Sequence, residues 1–171
     1  MDNLKTLIRD IPDFPKPGII FRDLTTLLKS SHGLQEAVKS MIEPFATEQI
    51  DVVVGIEARG FIFGVPLALE LQAGFVPARK PGKLPTETVE AQYELEYGEA
   101  TIEIHKDAIA PGQRVLLVDD LLATGGTMTA ARSLVEGLQG EIVGISFLVE
   151  LEALHGREKL TGCRIESAIK Y

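Results

Sequence analysis

Val115-Leu116-Leu117-Val118-Asp119-Asp120-Leu121-Leu122-Ala123-Thr124-Gly125-Gly126-Thr127 is the stretch that decides how the rest of the chain is read. Four apolar residues in succession predict a strand buried on both faces, as in the interior of a parallel sheet. Asp119 and Asp120 are expected to end that strand, where sheets of this kind hold their ligand crevice. Thr124 to Thr127 form a turn of small residues. Met128, Ala131, Leu134, Val135 and Leu138 then follow at helical spacing. A small-residue loop that opens a helix presents unpaired backbone N–H groups at the positive end of the helix dipole, which suits a phosphate. Carboxylates beside it suit sugar hydroxyls or a magnesium ion. The stretch therefore reads as a sugar-phosphate seat.

Working outward, the same alternation of strand and helix recurs. Asp51-Val52-Val53-Val54-Gly55-Ile56 predicts a second buried strand, ended by Glu57-Ala58-Arg59-Gly60. A helix is expected from Phe61 to Leu71, kinked or broken at Pro66. Further strands are expected at 75–78 and 142–149, the first leading into Arg79-Lys80-Pro81-Gly82-Lys83-Leu84-Pro85. Upstream, Ser31 to Phe45 carries Leu34, Val38, Met41, Ile42 and Phe45 on one helical face. Ile19 to Asp23 reads as a strand fragment packing on the core. Leu4, Leu7, Ile8 and Ile11 predict a first helix capped by Asp2 or Asn3 and stopped by Pro12. This pattern predicts an α/β fold with a mostly parallel central sheet and one domain spanning 1–171.

One segment departs from the rhythm. Between Thr86 and Ile104, Val89, Ala91, Tyr93, Leu95 and Tyr97 alternate with Glu90, Gln92, Glu94 and Glu96, a period of two that predicts a β-hairpin. From the residues alone it reads as an edge hairpin with solvated glutamates, or as a binding-loop excursion.

Composition narrows the function classes. The chain has 171 residues, 45% of them hydrophobic and 25% charged, which is enough for a sizeable core and argues against disorder. A net charge of −8 argues against nucleic-acid binding. The single cysteine, Cys163, offers no intramolecular disulfide. No apolar run is long enough to span a membrane, and a cytoplasmic location is expected. His32, His105 and His155 read as structural or surface residues, as does Cys163.

Known phosphate loops can be tested against the central stretch. A Walker A loop requires a lysine after its second glycine, where this chain has Thr127. A dinucleotide fingerprint requires three spaced glycines, and only Gly125 and Gly126 are present. What remains resembles the phosphoribosyl pyrophosphate (PRPP) signature of the type I phosphoribosyltransferases, and within them the adenine-using branch. Pro17-Gly18-Ile19-Ile20-Phe21-Arg22-Asp23 resembles the base-binding segment of that branch. Gly55 to Phe61 resembles its pyrophosphate loop, Arg79 to Pro85 its basic loop, and Tyr93-Glu94-Leu95-Glu96-Tyr97-Gly98 its mobile catalytic loop.

The resemblance implies the type I phosphoribosyltransferase fold, with a base-binding hood over about 1–30 and a hairpin lid over about 84–104. It implies transfer of a phosphoribosyl group from PRPP to adenine, giving AMP and pyrophosphate, with Mg²⁺ held mainly through PRPP and no protein metal ligand. Asp119 and Asp120 would take the ribose hydroxyls, and Ala123, Thr124, Gly125, Gly126 and Thr127 the 5′-phosphate. Glu57, Ala58, Arg59, Arg79, Lys80 and Lys83 would surround the pyrophosphate. Ile20, Phe21 and Arg22 would hold adenine, while Glu96, Tyr97 and Arg59 would serve catalysis. A homodimer is implied too, with Arg79 reaching the neighbouring subunit's pyrophosphate. The alternatives are another purine base as substrate, or a PRPP-sensing regulator; the latter would be expected to carry a basic DNA-binding segment, and the acidity of this chain counts against it.

Overall fold

The computed structural model describes residues 2–94 and 98–171, with the side chains of Asp2 and Asn3 left aside. In chain order the elements are α1 (Asp2–Lys5), β1 (Arg9–Pro12), β2 (Ile20–Asp23), α2 (Thr25–Leu28), α3 (Ser31–Ile42), β3 (Val52–Ile56), α4 (Arg59–Glu70), β4 (Gly74–Ala78), β5 (Thr88–Glu94), β6 (Glu99–His105), β7 (Arg114–Leu122), α5 (Gly126–Gly137), β8 (Glu141–Glu150) and β9 (Ile165–Lys170).

Five strands form a parallel sheet in the order β4-β3-β7-β8-β9. The apolar runs of the sequence are explained by burial on both faces. On one face Val52, Val54, Val115 and Leu117 pack with Met128, Ala131, Leu134 and Val135 of α5. On the other, Val53, Leu116 and Val118 pack with Met41 of α3 and Phe63 and Leu67 of α4. From β3 the chain steps outward to β4 on one side and later returns to β7 on the other. The crevice at the carboxyl ends of β3 and β7 is thus a topological switch point, where open α/β sheets bind ligands.

Two antiparallel pairs lie outside this sheet. β5 and β6 form the expected hairpin, pairing Thr88 with His105 through to Glu94 with Glu99. Its alternation is the expected one: Val89, Ala91 and Tyr93 pack against the α5 side of the core while Glu90, Gln92 and Glu94 are exposed. β1 and β2 form the second pair, Ile11 opposite Phe21.

Here the first helix departs from expectation. It stops at Lys5, Asp2 is its first residue rather than its cap, and Ile11 lies in a strand. A helix of four residues has little stability of its own, and pairing with β2 captures the residues after it. Leu4 and Ile8 are still buried in the α3–α4 core. Other differences are smaller. The helix from Ser31 is α-helical to Ile42 and tightens to a 3₁₀ turn over Glu43–Phe45, where Pro44 sits. α4 begins at Arg59 and runs through Pro66 without a break. The short α2 and β9 were not expected. Among the described residues no helix is long and apolar enough to cross a membrane.

Candidate active site

β7 does not end at the aspartates. It continues to Leu122, with Leu121 opposite Val149 and Leu122 opposite Glu150 of β8. The acids are therefore held inside a hydrogen-bonded strand and not in a loose turn. The chain then turns at Gly125, whose φ of +79° is the left-handed conformation that glycine adopts at little steric cost. α5 starts there, and Thr129 donates its N–H and its hydroxyl to the Gly125 carbonyl, both at 2.9 Å. No described backbone partner takes up the N–H groups of Thr124 to Thr127. They border a cavity of about 70 Å³ walled by Asp119, Leu121, Met128 and Phe147 as well as the loop.

The two acids are unlike. Asp120 is buried, and its Oδ2 lies 2.6 Å from Arg59 Nε at the first turn of α4. The approach is off the N–H axis, so the contact is an ion pair and Oδ2 receives no aligned hydrogen bond. Asp119 accepts at Oδ1 from the Asp120 N–H at 2.8 Å. Burial, and next the Asp120 carboxylate beside it, push the Asp119 carboxyl well above the usual carboxylate range. Part of the Asp119 residue surface nevertheless remains solvent-accessible. Gly60 allows this junction: a Cβ there would stand 3.0 Å from both Asp119 Oδ1 and the Val118 carbonyl.

Glu57 and Ala58 lie between β3 and α4, joined by a cis peptide, and Arg59 opens α4. The Glu57 carboxylate accepts from Arg79 Nε at 3.1 Å, Arg79 Nη2 at 3.3 Å and the Lys80 N–H at 3.0 Å. The Arg79 hydrogen bond, working against burial, holds Glu57 below the ordinary carboxylate range. Glu57 thus anchors the basic loop in its own chain, and Lys80 and Lys83 project from that loop, both exposed. Glu103 of β6 completes the junction. Its main chain pairs with Arg79, and its buried carboxylate accepts from the Gly82 N–H at 3.1 Å and the Thr88 hydroxyl at 3.2 Å. The hairpin reaches the turn after β7 as well, because a Cβ on Gly126 would stand 3.1 Å from the Glu94 carbonyl. Glu96 and Tyr97 fall outside the described residues.

Ile20, Phe21 and Arg22 lie on β2. The Phe21 ring meets Phe14 edge-on at 5.2 Å. Arg22 pairs with Asp10 and stacks its guanidinium 3.9 Å from the ring centroid of Tyr171. Its side chain is therefore already occupied. Among the described residues β2 pairs only with β1, and Ile20 and Arg22, two positions apart, share one parity along the strand. Asp120, the 57–60 loop, the 79–83 loop and the hairpin are joined by direct contacts. β2 is tied in differently: Tyr171 N donates to the Glu150 carbonyl, and Leu151 N to that of Leu122.

Sequence reading missed two residues of this architecture. Glu103 looked like one more solvated glutamate, although its lone acidic position between Ile102 and Ile104 was a signal. Gly156 carried none. It abuts the 123–125 loop closely enough that a Cβ on Gly125 would stand 2.5 Å from the Gly156 carbonyl oxygen. His155 lies beside that turn, His105 ends β6 and Cys163 is half-buried; among the described residues no cluster of three or more His, Cys, Asp or Glu is placed to hold a metal.

The switch-point crevice thus brings the paired acids of one strand, and the loop after it, beside the basic residues that follow its neighbours. The profile of the phosphoribosyl transferase domain matches residues 23–165, and the chain belongs to that family. It is similar to the adenine phosphoribosyltransferase of Koribacter versatilis (strain Ellin345), with 58% identity over 170 residues, 99% of this chain and 93% of that one. The structure of the adenine phosphoribosyltransferase of Thermoanaerobacter pseudethanolicus superposes with a TM-score of 0.96 at 52% identity, covering 99% of both chains. The Saccharomyces cerevisiae enzyme, solved with adenine and an imino-altritol bisphosphate, gives a TM-score of 0.92 at 41% identity over 98% of this chain and 97% of that one.

Proposed function

We propose that the chain is an adenine phosphoribosyltransferase, transferring the 5-phosphoribosyl group of PRPP to adenine with release of pyrophosphate. The observation that carries this reading is the ion pair between Arg59 and Asp120, which joins a basic anion loop to a pair of sugar-binding acids. A substrate with phosphate at one end of a ribose and pyrophosphate at the other would bridge the two.

In this reading the N–H groups of Ala123 to Thr127 and the hydroxyls of Thr124 and Thr127 hold the 5′-phosphate. Asp119 and Asp120 accept from the ribose 2′- and 3′-hydroxyls. Arg59, Lys80 and Lys83, the Ala58 main chain, and Arg79 steered by Glu57 receive the pyrophosphate. N9 of adenine attacks C1 as the bond from C1 to the pyrophosphate oxygen breaks, with inversion. The base loses a proton that Glu96 accepts or relocates. The carboxylates stabilise positive charge developing on the ribose. The hairpin over 84–104 acts as the lid that brings Tyr97 over the centre and excludes water, and residues 1–30 act as the hood within one domain. Phe21 stacks on the purine, and main-chain carbonyls of Ile20 and Arg22 accept from the 6-amino group. A 6-oxo purine offers no donor there.

Mg²⁺ is proposed to enter with PRPP. Asp120 Oδ2 is buried against Arg59, so the acid pair does not present two open carboxylates as direct metal ligands. That arrangement suits a cation held mostly by substrate oxygens and water. When bound, the metal neutralises pyrophosphate charge.

A cytoplasmic homodimer completes the reading. Ile62, Val65 and Leu69 expose one apolar face of α4, 39%, 42% and 74% accessible, on the helix that begins at Arg59. Sedimentation of the wild type is expected to give a dimer, weakened by Val65→Asp.

Adenine, guanine, hypoxanthine and xanthine assayed in parallel with PRPP and Mg²⁺ test the function. AMP formation far above the other three products is expected. Equal turnover of a 6-oxo purine would reassign the base, and no turnover of any base would leave a PRPP-binding regulator.

A further inference from the structure

After β8 the chain turns at His155, with φ of 53°, and Gly156 comes to rest behind the loop that follows β7. A Cβ on Gly156 would collide with the carbonyl of Ala123 and stand 3.1 Å from the Gly125 N atom. The two segments meet backbone to backbone, so the position of one sets the position of the other. The next residue fastens the turn. Arg157 donates from Nε and Nη2 to the two oxygens of Glu150 at 2.6 and 2.8 Å, a bidentate pair. It also donates from Nη1 to the Ile165 carbonyl at 3.1 Å and from Nη2 to the Ser167 hydroxyl at 3.3 Å. Glu150 is 4% accessible and is the last residue of β8. Burial alone would raise its carboxyl, but the hydrogen bonds from Arg157 and Ser167 outweigh it and hold the group charged.

An exposed ion pair contributes little, whereas a bidentate pair with one buried partner fixes geometry as well as energy. The geometry fixed here is that of the main chain aimed at the 5′-phosphate. We propose that Glu150 and Arg157 are positioning residues for the 5′-phosphate end of PRPP, acting through Gly156 on the 123–125 loop. The inference rests on the PRPP reading of that loop. The pair sits at the β8–β9 side of β7, across that strand from β3 and β4, which lead to Arg59 and Arg79, so its side-chain contacts bear on the phosphate end of the substrate.

Steady-state kinetics and inhibition of the wild type, Arg157→Ala, Arg157→Lys and Ser167→Ala test this, with ribose 5-phosphate and pyrophosphate as inhibitors that probe the two ends. Arg157→Ala is expected to raise KM for PRPP and the inhibition constant of ribose 5-phosphate by about tenfold or more, the scale of one charge-assisted contact. KM for adenine and the inhibition constant of pyrophosphate should stay within about twofold, and Arg157→Lys should restore part of the loss. Ser167→Ala should move the same two constants less far, which keeps the test available if Arg157→Ala does not fold. Equal weakening of ribose 5-phosphate and pyrophosphate, or no change in the former with either Ala variant, overturns the assignment. A wild type that does not bind ribose 5-phosphate overturns the PRPP reading itself.

Discussion

Arg59 Nε stands 2.6 Å from Asp120 Oδ2, linking the first turn of α4 to the interior of β7. Asp120 is buried and Arg59 is partly exposed, so the acid depends on the pair more than the base does. Arg59→Gln is expected to lower kcat by about a hundredfold, the usual scale for one preplaced charge at a reacting centre. It should also destabilise the fold by about 1–2 kcal/mol, less than for a fully buried pair because solvent reaches Arg59. Urea unfolding beside the kinetics checks both, and unaltered kcat would remove Arg59 from the chemistry.

Asp119 carries the opposite lesson. Its carboxyl is raised in the folded chain, so the native state binds the proton more tightly than the unfolded state. The associated stability is complete below the unfolded value near 3.8 and is lost as pH climbs through the raised native value. Asp119→Asn should therefore unfold at a higher temperature than the wild type at neutral pH, and the gap should narrow on acidification. The same variant should bind PRPP more weakly. Melting curves across pH read the first effect, and parallel pH profiles for the two proteins would contradict it.

Glu103 ties the basic loop to the root of the hairpin through Gly82 and Thr88. Glu103→Ala leaves the Gly82 N–H without its acceptor and frees the loop that carries Lys80 and Lys83. Weaker inhibition by pyrophosphate, by about tenfold, is expected with ribose 5-phosphate nearly unaffected. Glu103→Gln, which keeps an acceptor, should lie between. Loss at both ends alike would point to general unfolding, which circular dichroism distinguishes.

Glu96→Gln addresses the proton of the base. It should lower kcat by about a hundredfold or more while KM for PRPP changes little, because a general base acts in the transition state. An unchanged kcat would transfer the role to another lid glutamate, Glu90 or Glu94.

What could be read from the chain follows the range of the interactions involved. β3, β7, α5 and the hairpin are local patterns, written in runs such as Val52 to Ile56 and in the alternation from Val89. The turn after β7 was recognisable because its glycines and acids act within thirteen residues. The strand character of Ile11 was hidden, since its partner Phe21 lies across a proline-rich turn. The extension of β7 through Asp120 depends on Val149 and Glu150, and Gly156 meets Gly125 across 31 positions. Contacts of that span leave no period in the sequence. They appear as a single glycine or arginine whose neighbours give no hint of its partner.

The stacking of Arg22 on Tyr171 bears on how base choice could change. With that guanidinium committed to the aromatic ring and to Asp10, β2 keeps no charged side chain free at residue 22 to address a purine. Preference would then be encoded in the path of a strand, which point substitution edits poorly. Exchanging side chains along Ile20 to Arg22 should loosen or tighten adenine without converting the enzyme to a 6-oxo purine. A change of substrate would require rebuilding the backbone of the hood, by insertion or deletion around the turn from Asp13 to Gly18.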